Sequence, residues 1–175
     1  MITYFSFQNI SLLYNIPYSV IPKEWQLILF SDGSLTRHLE ILLKNSIKLQ
    51  IYKITTAKLV NYHEQFVCSN ISYPQKNRQT WLITQNNKKI LYATSIWNHS
   101  SLSTSFSINI PIGKFLIETE LDIFREIYKI DLLYSHDLEK EFNSKGPFWS
   151  RNYFLKHNQQ ILANIQEVFS PRILE

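Results

Sequence analysis

One cysteine and three glycines are all that 175 residues hold of two residue types on which much site chemistry depends. A lone thiol, Cys68, forms no internal disulfide, and it excludes metal sites built on several thiolates. It reads as a small buried or half-buried residue rather than a nucleophile. Isolated glycines at 33, 113 and 146 make neither a phosphate-binding loop nor a dinucleotide fingerprint. No Gly-x-Ser-x-Gly elbow occurs. The five histidines (38, 63, 99, 136, 157) have no ligand spacing, so no metal is expected. Long apolar runs are missing as well. "LILF" and "ILL" fall far short of the ~20 residues that span a bilayer. No basic residue precedes Lys23, so neither a signal peptide nor an Arg-rich transit peptide is expected.

What is present points to a globular chain. Hydrophobic residues make up 45% and charged residues 18%, which suits one domain over residues 1–175 with a sizeable core. The net charge is +4, but its basic residues are scattered. The densest stretches, "KNR" at 76–78 and "NNKK" at 86–89, are not polybasic tracts. This is a poor case for nucleic acid and a fair one for solubility or a small anionic partner. Heavy use of Ile, Asn, Lys, Tyr and Phe follows AT-rich codons, as in an organelle genome or a small bacterium.

Strands outnumber helices in the pattern. "VIPKEWQLILF" (20–30) reads as a short helix with Pro22 near its start. Ser34 or Asp32 can cap a second helix with Leu35, Leu39, Leu42 and Leu43 on one face. "SIKLQIYKI" alternates as a strand. "RQTWLIT", "QNNKK" and "ILYATSIW" form a hairpin signature. "LDIFREIYKIDLLY" leans to strand, and "SHDLEKEFNSKGP" reads as a polar loop. The last hairpin, from Phe148 to Phe169, turns at His157–Gln159. Adjacent hairpins predict an α+β fold, an antiparallel sheet with helices packed on one side.

Two charged residues stand out within the strands. Arg78 opens the first hairpin, sharing a face with Thr80 and Leu82. Glu167 interrupts an otherwise apolar face made of Ile161, Ala163, Ile165 and Phe169. A buried carboxylate needs a reason. The plain alternatives are a strand end at the surface or a mutual Arg78–Glu167 ion pair.

Four stretches, in order and over nearly the full length, resemble the chorismate lyase family in its plastid and cyanobacterial branch. They are "LFSDGSLTRHLE" (29–40), the central hairpin opening at Arg78, "IPIGKFL" (110–116) with its Pro-Ile-Gly turn, and "FWSRNYFLKHNQQILANIQEVFSP" (148–171). Two registers align the central hairpin, one placing Ile83 at the family's arginine and one placing Arg78 there. The second keeps Leu82 in register and leaves the length change in a loop.

The resemblance implies a chorismate lyase-like domain with an enclosed ligand site, using neither metal nor organic cofactor. It would eliminate pyruvate from chorismate and leave 4-hydroxybenzoate, a quinone-ring precursor. Arg78 would bind the ring carboxylate, assisted by the backbone N–H groups of Leu35 and Ile112. Glu167 would face the ring hydroxyl. The second carboxylate of chorismate has Arg37 and Lys114 as candidates. Partners would be the small-molecule substrate and product, with no nucleic acid and no membrane span, and a monomer is expected. The stroma of a plastid that encodes the protein, or the cytoplasm of an AT-rich bacterium, would be its location. The alternative is a non-catalytic domain that binds 4-hydroxybenzoate, related to the effector-binding domains of transcription regulators. Those domains normally follow a winged helix, for which these 175 residues are expected to have no room.

Overall fold

The computed structural model describes residues 2–8, 20–57, 70–99 and 123–174. Their strands are β1 (Ile2–Gln8), β2 (Ile47–Ala57), β3 (Gln75–Thr84), β4 (Lys89–Asn98), β5 (Phe124–Tyr134), β6 (Phe148–His157) and β7 (Gln160–Phe169). Helix α1 spans Lys23–Leu29, α2 Leu35–Leu43 and α3 His136–Phe142, and a 3₁₀ turn follows at Pro171–Ile173. The strands form one sheet in the order β1-β5-β6-β7-β4-β3-β2, and all its pairings are antiparallel. This is the α+β architecture that the hairpin pattern predicts.

Local chemistry sets the hairpins. Asn158 and Gln159 both take positive φ (47° and 66°), as a two-residue primed turn requires, so β6 and β7 are joined as tightly as a hairpin allows. At the other hairpin Asn87 takes φ 57°, and its N–H donates to the Thr84 carbonyl at 2.9 Å. Ser34 is the cap of α2, its hydroxyl accepting from the Arg37 N–H at 3.5 Å. Leu35 and Leu39 are buried beneath this helix and Leu43 packs against the same core. Leu42 is half exposed, although seven residues on from Leu35 it lies only about 20° round the helix from that buried residue.

One stretch departs from the expectation. "SHDLEKEF" is not a loop but α3, capped by the Ser135 hydroxyl, which accepts from the Leu138 N–H at 3.4 Å. Leu138 and Phe142, four residues apart, are both buried, and that single apolar pair anchors the short helix against the sheet.

The two faces of the sheet carry different layers. Leu49, Leu82, Leu91 and Phe169 line up across β2, β3, β4 and β7. They pack with Trp25, Ile28 and Leu29 of α1 and with α2. Trp81, Leu133, Phe148 and Val168, of opposite parity, pack with Leu138 and Phe142. Thus α1 and α2 cover one face together, and α3 adds cover to one end of the other. The parity of β7 holds from Ala163 to Phe169, but Ile161 packs with Ile71, Ile96 and Phe154 instead of with its i+2 neighbour Ala163. A β-bulge between Leu155 and Lys156 shifts the pairing there and turns Ile161 over.

Candidate active site

The face under α2 holds a cavity. Its floor is a set of pairs across the sheet: Thr80 faces Ala93, which faces Glu167, while Arg78 faces Ser95, which faces Ile165. Its roof is the start of α2 at Ser34, Leu35 and Thr36, and Arg125 and Tyr153 also line it. The volume is about 60 Å³.

Arg78 and Glu167 therefore stand on the same face, with β4 between their strands. Two strand spacings and two residues along give a Cα separation of about 12 Å. Ile83, of opposite parity, packs on the α3 side of the sheet. Arg78 is almost fully buried, with its guanidinium carbon 5.6 Å from the Trp97 ring centroid. Burial lowers its pKa to about 10, which leaves it charged at neutral pH. Leu35 is buried, and as the first residue of α2 its N–H is one of those a helix cannot satisfy internally. Ile112, with the Pro-Ile-Gly turn and Lys114, lies outside the described residues.

Glu167 is not paired with Arg78. Its Oε2 accepts from Arg151 Nε at 2.6 Å, and its Oε1 accepts from the Tyr153 hydroxyl at 2.9 Å. Both partners come from β6, where Arg151 faces Glu167 directly. The phenol of Tyr153 is pushed well above its ordinary range, first by burial and then by the Glu167 charge. Arg151 has no exposed surface, and its Nη1 donates to the carbonyls of Ile28, Leu29 and Ser31 at 3.0, 3.1 and 3.0 Å. One side chain thus ties the carboxylate to the C-terminal end of α1, whose last carbonyls have no helical partners.

Arg125 approaches from β5. Its guanidinium lies 4.8 Å over the Tyr153 ring, and Nη1 donates to Ser31 and Gly33 carbonyls at 3.0 and 3.1 Å. Arg37, by contrast, is exposed on α2 and does not line the cavity. Arg125, Arg151 and Tyr153 are the residues that sequence reasoning passed over. Among the described residues no His/Cys/Asp/Glu group has the makings of a metal site. No described helix is long and apolar enough to cross a membrane.

Chemically, the cavity offers a buried cation toward one end and, at the other, a carboxylate fixed as a hydrogen-bond acceptor, with aliphatic side chains between them. The model of the chorismate pyruvate-lyase Rv2949c-like family matches residues 29–175. The chain belongs to this family. The ycf21 protein of Porphyra purpurea is 41% identical over 155 residues, covering 86% of this chain and 83% of that protein. The ycf21 protein of Cyanophora paradoxa is 33% identical, covering 89% and 81%. These relatives are encoded in plastid genomes. Among solved structures, the effector domain of PhnF from Mycobacterium smegmatis aligns with a TM-score of 0.57 at 9% identity, over 80% of this chain and 90% of that one. A second structure of PhnF from the same organism aligns with a TM-score of 0.60, also at 9% identity, over 100% of this chain and 91% of that one. At such identity the likeness is one of fold.

Proposed function

We propose that the protein of this chorismate pyruvate-lyase-like family is a chorismate lyase, eliminating pyruvate from chorismate to leave 4-hydroxybenzoate. The observation that carries this reading is the polarity of the cavity. A buried guanidinium and a fixed carboxylate share one sheet face about 12 Å apart at Cα, separated by one strand. That spacing, shortened by the two side chains, suits an aromatic acid with a carboxylate at one end and a hydroxyl at the other.

Chorismate carries a ring carboxylate, a hydroxyl opposite it, and an enolpyruvyl ether on the carbon beside the hydroxyl. The ring C–H at the hydroxyl-bearing carbon loses its proton, and that electron pair becomes the third ring double bond. The C–O bond to enolpyruvate breaks, and the released enolpyruvate gains a proton on its methylene carbon to become pyruvate. Aromatisation drives the step, so the protein's share is positioning and charge management. Arg78 takes the ring carboxylate in a bidentate pair, aided by the Leu35 N–H and, from the resemblance, by Ile112. Glu167, held from behind by Arg151 and Tyr153, accepts from the ring hydroxyl with its remaining lone pairs. An engineered cavity that binds benzene measures about 150 Å³, so the present 60 Å³ widens when a ring enters.

The likeness to effector domains favours a second reading, in which the cavity binds 4-hydroxybenzoate without turnover. Purified protein mixed with chorismate, with 4-hydroxybenzoate followed by absorbance or chromatography, separates the two. Product formation that collapses in Arg78→Ala supports the enzyme. A folded wild type that is silent yet binds 4-hydroxybenzoate in calorimetry supports the binder. Plastid-encoded relatives support a place in the stroma, feeding quinone-ring synthesis as a monomer, and fractionation with sedimentation tests this.

A further inference from the structure

We infer that Arg125 receives the second carboxylate of the substrate, the one on the enolpyruvyl group, at the Glu167 end of the cavity. This rests on the chorismate reading of the same site. Three observations lead to it.

The first is position. Arg125 lines the cavity and stacks 4.8 Å over Tyr153, whose hydroxyl holds Glu167 at 2.9 Å. Arg125 therefore belongs to the carboxylate pole of the site rather than to the Arg78 pole. In chorismate the enolpyruvyl ether leaves the ring beside the hydroxyl. A ring that presents its hydroxyl to Glu167 must carry the second carboxylate to the same end.

The second is the state of the guanidinium. Its side chain is only 10% exposed. Nη1 is occupied by the carbonyls of Ser31 and Gly33, which fix its plane. Nε is buried with no hydrogen-bond partner. The nearby Asp32 carboxylate reaches Nη1 only at 4.0 Å and is 71% exposed, so water screens it. A guanidinium held by one nitrogen, with an unmatched N–H on another edge, is a preorganised receiver for a carboxylate.

The third is charge balance. Arg78 and Arg125 line the cavity with Glu167, and Arg151 pairs with that carboxylate, a local surplus of two positive charges (three minus one) with the exposed Asp32 left out. Chorismate is a dianion, and its product 4-hydroxybenzoate carries a single carboxylate. Arg125 would thus discriminate substrate from product, and it would also stand by the enolate oxygen as the ether bond breaks.

The test compares two ligands across variants. Wild type, Arg125→Gln, Arg125→Lys and Arg78→Ala are assayed for KM with chorismate, or for its calorimetric Kd where turnover is absent, and for Kd with 4-hydroxybenzoate. Losing one charge-assisted pair should weaken chorismate roughly 10- to 100-fold in Arg125→Gln. Binding of 4-hydroxybenzoate should stay within about threefold in that variant, which also reports that the cavity is intact. Arg125→Lys should fall between, and Arg78→Ala should weaken both ligands. Equal weakening of both ligands in Arg125→Gln, or unchanged chorismate binding, overturns the assignment. A wild type that takes neither ligand removes the chorismate reading itself, and the inference with it.

Discussion

Replacing Arg151 by methionine should cost more than any other single change near the site. The side chain is fully buried and makes four hydrogen bonds, one to Glu167 and three to carbonyls at the end of α1. Removing one partner of a buried ion pair costs about 3–5 kcal/mol, because the other charge is left without compensation. The three carbonyls lose their donor in the same step, and each orphaned buried group adds about 1 kcal/mol or more unless water reaches it. An unfolding free energy lowered by about 4 kcal/mol or more is expected, a large part of the 5–15 kcal/mol typical of a domain. Urea titration followed by the fluorescence of the four tryptophans measures it. The double variant Arg151→Met/Glu167→Met controls for the charge. It leaves no stranded ion, so its loss should be smaller than the sum of the single losses by about 2 kcal/mol or more. A loss in Arg151→Met under about 1 kcal/mol, or strict additivity in the double variant, would refute a buried pair that organises α1 and Glu167 together.

Three more outcomes follow from the same contacts. Glu167→Gln keeps an acceptor for the ring hydroxyl but cannot take a proton; if Glu167 only positions the ring, turnover of chorismate should fall less than about 100-fold, whereas loss of a general base costs about 10²–10⁴-fold. Phe169 is fully buried and meets Trp25 edge-on at 6.0 Å, so Phe169→Ala should lower stability by about 3–5 kcal/mol in the same urea assay. The Glu139 carboxyl of α3 is held below its ordinary range, first by the Gly146 N–H and then by Tyr134, His136 and Lys145. With the folded value below the unfolded one, its stabilisation is present above the unfolded value of about 4.3 and is lost as pH falls through the folded value. Glu139→Gln should therefore be less stable than wild type at pH 7 and indistinguishable from it near pH 2, by thermal melts across that range.

Much of the architecture can be read from period-two patterns and turn residues. The Phe148–Phe169 hairpin is legible because Asn158 and Gln159 tolerate positive φ and the flanking residues alternate. What eludes such reading is set by events that leave no local mark. Helix α3 hides in a polar stretch because its anchor is a single pair, Leu138 and Phe142, whose partners include Trp81 of β3 and Val168 of β7, remote in sequence. Leu42 looks like a core residue by type and by its i+7 spacing from Leu35, yet it is half exposed. Of the four residues that the resemblance assigns to the substrate, Arg78, Glu167 and Leu35 come together around one cavity, and Ile112 lies outside the described residues.

The partner of Glu167 shows why a site is harder to read than a strand. Counting back from a two-residue turn, with His157 facing Gln160, puts Glu167 opposite Ser150. Ser150 carries no charge, so in that register the glutamate would face none on β6. The bulge opposite Leu155 and Lys156 leaves Leu162 as one extra residue in β7, and the residue facing Glu167 becomes Arg151. The same slip moves Tyr153 opposite Ile165 and onto the cavity face, where its hydroxyl reaches Glu167. A one-residue irregularity thus converts an isolated buried carboxylate, which would be costly, into one clamped at both oxygens. It also frees Arg78 from any duty toward Glu167, although both line the same face. Pairing with Arg151 keeps the glutamate an acceptor at one pole, and Arg78 stays a cation toward the other. That polarity is what a direct Arg78–Glu167 bridge would have cancelled.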